Sequence, residues 1–110
     1  MKTYTVKTDY KAYKAYIRTA KYDFDGSLAI QLVDAKDGSP LARITVCLVD
    51  DLGLPYLCVS EDTAFVDTNN YPWAEDFIVS NGLGGPAGRT ARSGFCTYPL
   101  YKFDLKKLGA

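Results

Sequence analysis

Apolar residues fall on alternate positions through Leu28, Ile30 and Leu32, and again through Ile44, Val46 and Leu48, with the turn-forming run Asp37-Gly38-Ser39 between them. Such alternation marks a strand with one buried face. It predicts a hairpin whose rungs set Leu28 opposite Leu48, Ile30 opposite Val46 and Leu32 opposite Ile44. A slip of one residue would send every apolar side chain to the wrong face, so a loop with an odd number of residues is required: three (Asp37 to Ser39) or five. The other face holds Ala29, Gln31, Val33, Arg43, Thr45, Cys47, Val49, Tyr56 and Cys58. That set is only half polar, so it is expected to be partly covered too.

Upstream, Tyr10-Lys11-Ala12-Tyr13-Lys14-Ala15-Tyr16 repeats every three residues, which suits neither helix nor strand. Ile17 to Tyr22 is β-prone and runs into the turn cluster Asp23-Phe24-Asp25-Gly26-Ser27. Residues 13–22 are therefore predicted to pair antiparallel with 28–34, in a register that puts either Ile17 against Leu32 or Ala20 against Ile30. Residues 3–8 add a short edge strand. Downstream, residues 56–60 continue the meander, with Leu57 opposite Leu48 and Val59 opposite Val46.

A helix is signalled over 71–81. Asn70 is placed to cap it, Pro72 suits the first turn, and Glu75 and Asp76 sit near the positive end of the dipole. Trp73, Ala74, Phe77 and Ile78 form one stripe, and Asn81-Gly82-Leu83 reads as a Schellman stop. A helix this short is marginal alone and must lie on the apolar face of the sheet. Gly82 to Gly88 reads as a link, and residues 95–103 as a last strand with Phe95, Thr97, Tyr101 and Phe103 on one face. Pro99 argues for an edge or a bulge there. Residues 106–110 read as a frayed tail. The expected architecture is a single α+β domain: an antiparallel β-meander sheet of four to six strands with one helix on one face.

At 110 residues, 47% hydrophobic and 24% charged, the chain can bury a core without staples. No window approaches the roughly 18 apolar residues of a membrane helix, and the N-terminus lacks an apolar signal segment. A cytoplasmic protein is expected. The net charge is zero but sorted along the chain. Residues 1–22 carry +5, residues 23–76 carry −9 and residues 77–110 carry +4. If the fold keeps these segments apart, each edge can steer a partner of opposite sign; otherwise the two ends pair with the middle.

Catalysis finds little footing. There is no histidine, which removes the usual base near neutral pH. The adjacent pairs Asp50/Asp51, Glu61/Asp62 and Glu75/Asp76 point different ways on any regular element. Cys47, Cys58 and Cys96 make an odd number without metal spacing and read as reduced thiols rather than a zinc or disulfide framework. Cys96 would be a nucleophile only if Arg89 or Arg92 lowered its pKa. Gly82-x-Gly84-x-x-Ala87 fits a dinucleotide fingerprint in form only: it follows a helix and leads to a strand, the reverse of the required order. Leu83 and Arg89 also stand where a phosphate loop needs glycine and lysine. No cofactor is expected.

Two binding surfaces remain. Lys11, Lys14, Arg18 and Lys21, mixed with tyrosines and joined by Arg89 and Arg92, could stack on and neutralise nucleic acid. Turn carboxylates at Asp23, Asp25, Asp34, Asp37, Asp50, Asp51, Glu61 and Asp62, with Asp67, could face a basic groove on a partner protein.

Asp67-Thr68-Asn69-Asn70-Tyr71-Pro72-Trp73-Ala74-Glu75, then Asn81-Gly82-Leu83 and Ser93-Gly94-Phe95-Cys96-Thr97-Tyr98-Pro99-Leu100-Tyr101, resemble a domain-of-unknown-function family of short proteins. Its members are encoded on conjugative and integrative elements of gut Firmicutes. The resemblance implies a setting in which small accessory proteins blunt host defence or assist DNA transfer, and it brings no catalytic residues. It ranks a non-enzymatic protein-interaction module first, of anti-CRISPR or anti-restriction type, with a small nucleic-acid-binding protein as the alternative and a thiol enzyme at Cys96 last. The two motifs are expected to meet, Trp73 sharing a core edge with the strand from Phe95 to Tyr101.

Overall fold

The computed structural model describes residues 2–8, 11–23, 26–49, 52–54, 56 and 60–109. It is an α+β fold built from two four-stranded antiparallel sheets. In the first, β1 (Tyr4–Lys7), β2 (Ala12–Lys21), β3 (Leu28–Asp34) and β4 (Pro40–Arg43) lie side by side in chain order. In the second, β5 (Thr45–Val46), β6 (Thr63–Val66), β8 (Cys96–Phe103) and β7 (Gly84–Ser93) lie in that spatial order. Helix α1 (Ala74–Ser80) joins β6 to β7, and α2 (Leu105–Leu108) follows β8.

The first sheet follows the alternation. Of the two registers open between β2 and β3, Ile17 opposite Leu32 is the one formed. That choice stacks Tyr13, Ala15 and Ile17 of β2 with Tyr4 and Val6 of β1 and with Leu28, Ile30 and Leu32 of β3 on a single inner face. The β3–β4 loop is the five-residue version, residues 35–39, with Gly38 at φ +78° and its amide bonded to the Asp34 carbonyl at 2.8 Å.

The rungs of that hairpin differ from expectation. Leu32 lies opposite Ala42 and Gln31 opposite Arg43, with a bulge at Leu41. A slip of two keeps every apolar residue on the inner face, so the core tolerates it where a slip of one would not. The expected pairing of Ile30 with Val46 fails because the chain leaves the first sheet at Ile44. The Ile44 amide bonds Ile30 O at 3.1 Å in the first sheet, while its carbonyl accepts from Asp67 N at 2.8 Å beside the second. The Thr45 hydroxyl then takes the Ile30 amide at 3.0 Å. A buried N–H must find a partner, and here a side chain supplies it where a ladder carbonyl would have continued the strand.

The second sheet departs further. β6 falls in a stretch read as following the meander, and the supposed glycine link supplies the first half of β7, which pairs with β8 at Gly84 to Pro86 and again at Thr90 to Ser93. Gly84 sits there because an added Cβ would strike the Lys102 carbonyl of the neighbouring strand. Pro99 lies on neither an edge strand nor the bulged one. It pairs with Thr90 on one side, and β6 pairs with β8 only from Leu100 onward on the other. The bulge is on the β7 side, where Ala87, Gly88 and Arg89 oppose Leu100. Phe95 does not face inward: it lies at the β7–β8 turn with its side chain in solvent. The predicted strand over 56–60 has Leu57, Cys58 and Val59 outside the described residues.

The core lies between the inner face of the first sheet, Ala64, Val66, Tyr101 and Phe103 of the second, and the two helices. Phe77 of α1 meets Tyr4 of β1 edge-to-face at 6.2 Å, so the helix does rest on the apolar meander face. Its start is later than expected. Asn70 does not cap it; the Asp67 carboxylate takes the Asn70 amide and side chain at 3.2 and 2.9 Å, shaping a turn before the helix. Its end follows the Schellman pattern, with Gly82 at φ +65° and the Leu83 amide on Ile78 O at 2.9 Å. Trp73 packs with Tyr71 and Phe77 and borders β1, β2 and β4, so it does not share an edge with β8. The tie between α1 and β8 is the Tyr101 hydroxyl, which donates to Glu75 at 2.6 Å. The C-terminal stretch is the one-turn α2, capped by Asp104 and docked through Leu108. On the far face of the second sheet a smaller cluster forms from Leu48, Phe65, Ala91 and Leu100.

Candidate binding surface

Alternation along the first sheet sends Lys14, Tyr16 and Arg18 of β2 to its outer face, away from the core. Cross-strand pairing then fixes their neighbours. Lys14 lies opposite Thr5, Tyr16 opposite Val33, and Arg18 opposite Gln31, which in turn lies opposite Arg43. Lys7 belongs to the same face, opposite Ala12. Four cations, Lys7, Lys14, Arg18 and Arg43, are exposed there. Among the described strand residues of this face no carboxylate occurs. Asp34 ends β3 on the opposite side by alternation, and its carboxylate takes the Lys36 amide at 2.8 Å. The ion pair found among the described residues, Lys102 with Asp62 at 3.9 Å, lies on the second sheet and uses none of the four.

Tyr16 and Gln31 are half-buried, and Val33 across from Tyr16 is 4% exposed although it lies on the outer face. Tyr16, Val33 and Gly38 border a depression of about 460 Å³ with Ile17 and Arg18. The row Arg18–Gln31–Arg43 spans two strand spacings, about 10 Å.

The six basic candidates do not gather. Only Lys14 and Arg18 share this face. Lys11 precedes β2 and lies 5.1 Å from the Tyr13 ring on the inner side. Lys21 falls at the end of β2 beside Thr19, Leu28 and Glu61. Arg89 and Arg92 are exposed on β7, the edge of the second sheet. Lys7, Gln31 and Arg43 were missed, and alternation had already put Gln31 and Arg43 on the outer face. Counting charge by segment filed Arg43 with its acidic sequence neighbours, when the pairing of strands puts it with Arg18.

The acidic candidates scatter as well. Asp23 is exposed at one end of β3, and Asp34 and Asp37 lie at the other, roughly 20 Å away. Glu61 and Asp62 precede β6, and Asp62 accepts from the Ser60 hydroxyl. Asp67 is only 9% exposed and shapes the turn before α1, so it is no part of a surface. Asp25, Asp50 and Asp51 lie outside the described residues. The Ser39 hydroxyl and amide, helped by Lys36, hold the Asp37 carboxyl below the usual range.

Cys96 is half-buried, and its neighbour is the Tyr98 phenol, whose pKa is raised by burial first and then by Cys96 and Asp67. A phenol raised in this way stays protonated near neutral pH and cannot serve as a base. Among the described residues no group of three or more His, Cys, Asp or Glu side chains could hold a metal ion. A second depression, about 340 Å³, is lined by Val6, Tyr13, Leu41, Tyr71 and Trp73 among others.

Residues 11–110 match the model of a domain of unknown function, DUF4313. The chain belongs to that family. The DUF4313 match takes in β2 to β8 and both helices and starts after β1. No curated protein and no solved structure matches the chain. No helix among the described residues is long and apolar enough to cross a membrane.

Proposed function

We propose that the chain is a non-enzymatic binding module of a mobile genetic element, acting in the cytoplasm, that holds nucleic acid on the outer face of its first sheet. The observation that carries this reading is the set Lys7, Lys14, Arg18 and Arg43, exposed on one face with no carboxylate among its described strand residues. Cations that find no protein counter-charge release counter-ions when they meet phosphates, which favours association. The mobile-element setting rests on the resemblance of the Asp67–Glu75 and Ser93–Tyr101 motifs to proteins of conjugative and integrative elements of gut Firmicutes, where accessory factors assist DNA transfer. A labelled oligonucleotide should bind at low salt and be released steeply as salt rises, and Lys14→Glu with Arg18→Glu should abolish binding. An absent shift at low salt would overturn the reading.

One observation favours a protein partner instead. The exposed loop around Asp37 fixes the direction of its carboxylate through the Ser39 amide and hydroxyl, and such a loop suits a basic groove on a bacterial defence protein. In that reading the chain is an inhibitor. Asp37→Lys would then lose the partner captured by the native chain, while Arg18→Glu would keep it.

A further inference from the structure

We infer that the nucleic acid is single-stranded, with a base stacked on Tyr16 and another read by Gln31 between two guanidinium groups. The inference rests on the nucleic-acid reading above and adds the form of the ligand.

Width argues first. Strands lie about 4.8 Å apart, so the four-stranded face is some 15 Å or more across, before side chains. The major groove of B-DNA is about 12 Å wide and the minor groove about 6 Å. The sheet cannot enter either, so a duplex could touch it only along one backbone.

The placement of the cations argues second. Lys7 and Lys14 lie on β1 and β2, Arg18 lies about 13 Å further along β2, and Arg43 lies about 10 Å across from Arg18 on β4. A track through them runs along β2 and then turns across the sheet. A flexible single strand follows such a path, and a stiff duplex does not.

The uncharged residues argue third. Tyr16 falls between Lys14 and Arg18 on the same face. It stands directly across from Val33 and is half-buried, so part of its aromatic surface is open to solvent. Gln31 carries both donors and an acceptor, and stands between Arg18 and Arg43. A duplex offers Tyr16 no open ring face, and Gln31 could read a duplex only from inside a major groove that the sheet is too wide to enter, while unstacked bases offer both their ring faces and their pairing edges.

The test is fluorescence anisotropy with a labelled 15-mer single strand, the same sequence as duplex, and polyglutamate as a polyanion without bases. The expected result is single-strand binding at least tenfold tighter than duplex and than polyglutamate. Tyr16→Leu, which keeps an apolar side chain beside Val33 without an aromatic face, should weaken single-strand binding about tenfold, and Tyr16→Phe should not. Arg43→Gln should reduce the slope of log K against log salt by about 0.7, the share of one phosphate contact in a single strand. Thermal melts of the variants separate a binding loss from a folding loss. Duplex bound as tightly as single strand, or Tyr16→Leu binding like the native chain, would overturn the inference and leave nucleic-acid binding standing. No binding to any nucleic acid at low salt would overturn both.

Discussion

The two sheets are built from similar residues and differ in how they meet water. The first has one buried face and one open face, and its strands follow one another in chain order. The second carries an apolar cluster on each side, the main core against Ala64, Val66, Tyr101 and Phe103 and the smaller cluster around Phe65 and Leu100. Its central strand β8 is flanked by β6 and β7, so one neighbour comes from more than thirty residues away. A sheet open on one side must write that openness into its sequence as alternation, and it leaves a face on which charge can collect. A sheet with apolar clusters on both sides has no such need, and its exposed cations Arg89 and Arg92 lie on the edge strand β7.

That contrast can be broken by mutation. The largest effect belongs to Phe65, which is 2% exposed and meets Tyr56 edge-to-face at 5.4 Å. Phe65→Ala should destabilise by about 3–5 kcal/mol, as for a core aromatic. A loss below 1 kcal/mol in urea melts would make the second cluster mere surface cover.

Next comes the hinge between the sheets. Thr45→Val keeps the shape but leaves the Ile30 amide without its hydroxyl acceptor, at a cost of about 1–3 kcal/mol. Thr45→Ser should recover most of it. Equal stability of Val and Ser variants would mean that the Thr45 hydroxyl does not hold the joint.

The tie between α1 and β8 is smaller and depends on pH. Burial first, and then the Glu75 carboxylate, push the Tyr101 phenol up to about 12 from 10.0. The unfolded chain therefore ionises this group first. Its contribution is complete below pH 10 and drains as pH rises toward 12. Tyr101→Phe should cost about 1 kcal/mol at neutral pH and flatten the alkaline fall in stability between pH 10 and 12. An unchanged alkaline limb would place the effect elsewhere.

The smallest effect is on the open face. Arg18→Glu or Arg43→Glu should change stability by less than about 0.5 kcal/mol, since neither side chain is buried or paired with a carboxylate among the described residues. A larger loss would show that the face is structural.

The legible parts of the chain are those whose partners are near in sequence. The antiparallel pairing of β2 with β3, the odd-length turn around Gly38 and the Gly82 stop of α1 follow from local pattern and turn chemistry, which left the β2–β3 register and the choice of three or five loop residues open. The rungs beyond Ile44 do not, because a hydroxyl on Thr45 competes with a ladder carbonyl, and both read alike in a hydrophobic pattern. Gly84 to Gly88 suggests a link, yet Gly84 serves close approach of strands and Gly88 a bulge, two uses of glycine with the same appearance. The basic face was half legible. Lys14 and Arg18 are adjacent in pattern, whereas Lys7 and Arg43 join them only through pairing.

The most direct test of the outer face as the working surface is a backbone amide NMR titration with a single-stranded oligonucleotide. Shifts should concentrate at Lys14, Tyr16, Arg18, Gln31 and Arg43 and spare β6 to β8. Shifts confined to the Asp34–Ser39 loop or to the second sheet, or no shifts at low salt, would contradict it.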